Sequence, residues 1–203
     1  MPALYMNNYM DMDTLFEGVF KKLVSPDFGK NLGGELPLFI QPIPNSGQTE
    51  LKQQVERLTS RLQKKGKTAF TIDLYQLCTT LLEEEDVLNT LLEEEANLEQ
   101  EDIVATIDSI LDMKSVVIPR INEMIQEHDP DFVFITGVGR VFPFMRSHGI
   151  LNNIDELAKS NHLVLFFPGE YNNLQLSLFG VISDENYYRG HNLNEIKIAL
   201  DTI

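Results

Sequence analysis

The 203-residue sequence predicts one three-layer α/β domain, a mostly parallel sheet with helices on both faces. Three observations carry that expectation. Four short apolar runs rich in β-branched and aromatic residues are separated by segments with helical periodicity, in the order strand, helix, strand, helices, strand, helix, strand. Three of the four runs are nearly all apolar rather than alternating, which marks strands covered on both faces. No Pro/Gly/Ser-rich linker divides the chain, so residues 1–203 read as a single domain.

Taken in order, a helix at about 13–23 precedes the first strand and packs on the sheet or its edge. The first strand is Leu36–Pro44 (LPLFIQPIP). Thr49–Lys65 is amphipathic, with Leu51, Val55, Leu58 and Leu62 recurring at steps of three and four. Thr49 is the expected N-cap and Gly66 the stop. Thr68–Leu74 (TAFTIDL) is the second strand. A helical insertion at about 75–126 follows, read as two or three helices: Glu101 and Asp102 suit a first turn, and Pro119 marks a kink or another start. Asp131–Val138 (DFVFITGV) and His162–Pro168 (HLVLFFP) complete the strands. Val181–Asn192 reads as a final strand or hairpin before a short C-terminal helix. The echo TLLEEE at Thr80–Glu85 and Thr90–Glu95 is too short for a repeat. It is either the solvated face of a helix or a carboxylate-rich surface for a metal or basic partner.

Charge narrows the function classes. With 31 acidic against 16 basic residues, a formal net charge of -15, the chain is repelled at long range by nucleic acid and by anionic membranes. No basic stripe with interleaved aromatics appears, so neither direct DNA binding nor membrane association is expected. No apolar stretch approaches the roughly 20 residues that span a bilayer. The single cysteine, Cys78, suits a reducing compartment and reads as a small buried residue on a helix. A cytoplasmic location follows as an expectation.

In a parallel α/β sheet, ligands bind beyond the carboxyl ends of the strands. After the first strand, Pro42 to Thr49 stands where a phosphate-binding loop would lie, but it offers one glycine, two prolines and no lysine. That departs from a standard P-loop and leaves a Rossmann-like or degenerate P-loop-like scaffold. Asp73 ends the second strand as a ribose- or metal-binding acid or as a helix N-cap. Gly137 and Gly139 end the third and permit a tight turn. Beyond them Arg140, Arg146 and His148 gather positive or protonatable groups; the arginines either grip an anion or pair internally with Glu170 or Asp155. Pro168-Gly169 is a turn signal after which Glu170 projects from the rim. His128, His148, His162 and His191 are scattered without metal-ligand spacing, and no Gly-x-Ser-x-Gly elbow occurs. No metal, cofactor or catalytic residue is assigned.

The run Thr136-Gly137-Val138-Gly139-Arg140-Val141-Phe142-Pro143-Phe144-Met145-Arg146-Ser147-His148, continued by Ile150-Leu151-Asn152-Asn153, resembles the BrxB family. So do Phe166–Tyr171 (FFPGEY), Leu178-Phe179-Gly180 and Asn186-Tyr187-Tyr188-Arg189; Gly190-His191 departs from the Ala-Phe expected there. The family belongs to BREX (bacteriophage exclusion) gene clusters. The resemblance implies a non-catalytic binding or scaffold component that docks on a PglZ-type protein, among other BREX components. Arg140, Phe142, Arg146, His148, Glu170 and Tyr171 are the expected binding residues for a partner or an anion. The alternative is a nucleotide- or phosphoester-binding enzyme with Arg140, Arg146, His148 and Glu170 around the anion.

Overall fold

The structure is a computed structural model and describes residues 11–30, 32, 35–142, 144–145, 149, 151–153, 157, 161–183, 188 and 190–198. The first four strands are β1 (Leu38–Ile43), β2 (Ala69–Asp73), β3 (Phe132–Thr136) and β4 (His162–Tyr171). Three short ones follow, β5 (Leu176–Leu178), β6 (Ile182–Ser183) and β7 (His191–Asn192). The principal sheet runs β2-β3-β4-β1-β7 and every pairing along it is parallel. Among the described residues, seven strands with helices on both faces of the principal sheet make the α/β layering expected from the sequence.

Alternation along each strand sorts the core into two layers. Phe39, Ile43, Phe132, Phe134, Val164 and Phe166 face one side. There they meet α1 (Met12–Leu23) and α2 (Leu51–Gln63), whose Phe16, Val19, Val55 and Leu58 form the apolar stripes. Phe16 stacks on Phe166 with ring centroids 5.5 Å apart. Leu38, Ile40, Val133, Ile135, Leu163 and Leu165 face the other side and pack under the remaining helices. These side chains are almost wholly buried, each worth about 1.5–3 kcal/mol on removal from water. Because both faces are covered, a continuous apolar run was the right pattern for these strands.

The segment between β2 and β3 is more broken than the sequence suggested. It holds four helices: α3 (Leu74–Glu84), α4 (Val87–Glu94), α5 (Gln100–Ile110) and α6 (Ile118–His128), with a π turn at Met113–Val117. Asp86, at φ +57°, turns the chain between α3 and α4. Glu101 and Asp102 occupy the first turn of α5, and a proline stands at the start of α6. Glu83, Glu84 and Glu85 at the end of α3 and Glu93 and Glu94 at the end of α4 lie exposed.

Three further boundaries differ. Thr49 does not cap α2; a 3-10 turn at Asn45–Gly47 leads into the helix, and Glu50 at the N-cap makes no side-chain bond to it. Gly66 does stop α2, at φ +72°. β4 does not end at Pro168 but continues to Tyr171, exchanging its parallel pairing with β1 for an antiparallel one with β5. Gly169 makes that continuation possible: at φ +138° a Cβ would lie 2.1 Å from the carbonyl oxygen of Ser177. Finally, Val181–Asn192 is not one hairpin. β6 pairs with β5, whereas β7 joins β1 at the far edge of the principal sheet. A 3-10 turn at Leu193–Glu195 stands where the short C-terminal helix was expected, and residues 199–203 lie outside the described residues. Among the described residues no helix is long and apolar enough to cross a membrane.

Candidate functional site

The carboxyl ends of β2 and β3 open into a cleft of about 550 Å³. Its walls come from five places: α2 and the turn before it (Thr49, Lys52, Glu56), the end of β2 (Thr71, Asp73), Gln76 of α3, the end of β3 and the turn after it (Thr136, Gly137, Gly139, Arg140) and Phe179 after β5. The volume lies within the roughly 300–1,000 Å³ typical of small-molecule sites.

Local sequence explains why these groups converge. Asp73 is the N-cap of α3, its carboxylate accepting from the backbone N–H groups of Tyr75 (3.0 Å) and Gln76 (3.4 Å). Asp73 also accepts from the Arg140 guanidinium, which lies 5.1 Å from the ring centroid of Tyr75. Among the described residues the internal partner of Arg140 is therefore Asp73 rather than Glu170; Asp155 lies outside them. The reason is topological: β2 and β3 are neighbours in register, with Asp73 opposite Thr136, so the acid closing one strand meets the helix that follows the other. Gly137, at φ +85°, ends β3 and starts α7 (Val138–Val141). Gly139 lies under Phe179 and Pro168; a Cβ there would approach the Phe179 ring to 2.9 Å.

Phe179 has φ +56°, which is uncommon for a bulky side chain. The surroundings impose it: its N–H donates to the Pro168 carbonyl (2.8 Å), and Asn45 donates to its own carbonyl (2.9 Å). One wall of the cleft is thereby tied to the loop that follows β1.

Of the residues expected to bind, Arg140 alone lines this cleft. Phe142 is half-buried against the core at the end of α7. Arg146 and His148 lie outside the described residues. Glu170 and Tyr171 fall on the continuation of β4, where alternation sends Glu170 into solvent and Tyr171 into the core. The Tyr171 hydroxyl lies within hydrogen-bond distance of the carbonyls of Tyr188 (3.0 Å) and Gly190 (2.8 Å), and burial pushes its pKa up. Lys52, Thr136 and Phe179 escaped notice as lining groups. Only Thr136 carried a signal, as the polar residue closing an otherwise apolar strand.

Elsewhere, Cys78 is buried on α3. Burial, then the nearby Asp73 carboxylate, push its thiol up to about 11, the reverse of what a nucleophile needs. Among the described residues, no three His, Cys, Asp or Glu side chains are grouped to hold a metal ion.

A mostly parallel sheet flanked by helices, with a cleft at its carboxyl edge, defines a three-layer α/β protein. The BREX protein BrxB family model matches residues 70–193, more than half of the chain. The chain belongs to the BREX protein BrxB family, a family of BREX components. It is 33% identical over 181 residues to a BREX protein BrxB of Bacillus cereus (strain H3081.97), covering 86% of this chain and 93% of that relative. It is 24% identical over 161 residues to a BREX protein BrxB of Escherichia coli O9:H4 (strain HS), covering 79% and 80%. No solved structure gives a significant match.

Proposed function

We propose that this chain is a non-catalytic binding component of a BREX anti-phage system and that it docks on the PglZ-type component. One observation carries the reading. The antiparallel extension of β4 exposes Leu174, Val181 and Ile182, with relative exposures of 56%, 78% and 42%. Among the described residues β6 pairs only with β5, and no strand lies on its outer side. Large apolar side chains beside an open strand edge mark a place where another chain is laid down. Glu170 stands exposed on the same extension, opposite Ser177. A charge at the rim of such a patch selects the partner more than it tightens the complex.

The experiment is co-expression with the PglZ-type protein of the same system. Val181→Asp combined with Ile182→Asp abolishes co-purification and phage restriction, while the melting temperature is unchanged because both side chains already face water. Co-purification of that variant at the wild-type level overturns the docking surface.

A further inference from the structure

Thr136 closes β3 with only 6% of its surface exposed, and it lines the cleft. Its hydroxyl has no hydrogen-bond partner among the described residues. The hydroxyl is therefore open to the cleft, where it can bond a ligand without giving up a bond inside the protein.

The other groups say what kind of partner. Lys52 points to the cleft from the first turn of α2 and forms no ion pair among the described residues. The N-cap residue of that helix, Glu50, makes no side-chain bond to the free N–H groups there. Arg140 gives one nitrogen to Asp73, and a guanidinium has five N–H donors, so the rest of its fork remains for a ligand. These groups are donors suited to phosphate, in a lining that also holds the Glu56 and Asp73 carboxylates. Asp73 is an acceptor in the same cleft, with about a quarter of its side chain open, suited to a hydroxyl of the ligand such as that of a ribose. Phe179 supplies an aromatic wall, held by its imposed backbone conformation.

We propose that the cleft binds a nucleoside phosphate. The phosphate lies against Lys52, Arg140 and the first turn of α2, a sugar hydroxyl donates to Asp73, and the base rests on Phe179, with the Thr136 hydroxyl bonding the ligand from the cleft floor. A bare anion would meet Lys52 and Arg140 but face the Asp73 and Glu56 carboxylates unscreened; an uncharged nucleoside would leave Lys52 without a partner. Side chains, rather than a glycine cradle, hold the phosphate, which is consistent with the prolines at positions 42 and 44.

Isothermal titration of the intact purified chain tests this, with inorganic phosphate, ribose 5-phosphate, the four common nucleoside monophosphates and ADP as probes. At least one nucleotide binds saturably, about tenfold or more tighter than inorganic phosphate. Thr136→Val and Lys52→Glu each weaken that affinity by about tenfold or more, the cost of losing one hydrogen bond or charge contact to the ligand. Neither lowers the melting temperature of the ligand-free protein, since one removes an unbonded hydroxyl and the other an exposed amine. Absence of saturable binding across the panel overturns the assignment. So does inorganic phosphate binding as tightly as any nucleotide, or an affinity that both substitutions leave unchanged.

Discussion

Gly137 packs so closely on Asp73 that a Cβ added to it would lie 2.6 Å from the Asp73 carboxylate. The same atom would stand 3.0 Å from the Tyr75 backbone nitrogen and 3.1 Å from that of Leu74. The turn that ends β3 and the cap that starts α3 are thus built against each other, and the cleft lies over their junction.

Gly137→Ala tests that junction. The residue sits at φ +85°, where a side chain is strained even in open space. Here it also displaces the capping carboxylate. The substitution destabilises by roughly 2–3 kcal/mol, combining backbone strain with a weakened cap. The midpoint of urea unfolding reads this directly; an unchanged midpoint means that the junction adapts without cost.

Tyr171→Phe separates a structural role from a binding one. Losing the hydroxyl leaves the carbonyls of Tyr188 and Gly190 without that donor in a buried setting, at a cost of about 1–2 kcal/mol. The expected variant is less stable yet still docks on the PglZ-type protein at temperatures where it is folded. A variant of wild-type stability that no longer docks would return Tyr171 to the interface.

His162 gives the fold an acid sensitivity. Its ring lies 5.6 Å from Phe28, 6.0 Å from Phe39 and 5.6 Å from Phe132. Burial holds its pKa below the ordinary 6.5, with Lys67 adding to that effect and Asp131 opposing it. The unfolded chain therefore takes up this proton at higher pH than the folded chain. Below about pH 6.5 the unfolded state binds more protons, so this contribution to stability declines as pH falls toward the depressed folded value. Thermal unfolding at about pH 7.5, 6.5 and 5.5 shows the decline, and His162→Phe flattens it. Parallel curves for the two proteins would assign the acid sensitivity elsewhere.

The principal strands were legible because β1, β3 and β4 are buried on both faces, and that constraint writes itself into consecutive residues such as Leu163-Val164-Leu165-Phe166-Phe167. Asp73 as a cap and Gly137 as a turn were legible for a similar reason, since each answers to neighbours in sequence. The continuation of β4 was not. Pro168-Gly169 is a turn signal in isolation, and only the approach of the Ser177 backbone keeps the strand extended. The cleft was half legible. Its place follows from strand polarity, but the pairing of Arg140 with Asp73 spans 67 residues and depends on which strands become neighbours. Glu170 and Tyr171 were expected at the rim because the strand was expected to stop before them.

The position of β1 also governs how the chain can be made. In the sheet, Leu38–Ile43 has β4 on one side and β7 on the other, both from the last fifth of the sequence. A ribosome adding roughly 5–20 residues per second needs on the order of ten seconds to go from Ile43 to His162. Throughout that interval a strand that is almost wholly buried in the finished protein is without both of its flanking strands. The nascent N-terminal half is then an aggregation-prone species, and a fragment ending before residue 160 would be a client for chaperones rather than a smaller working protein.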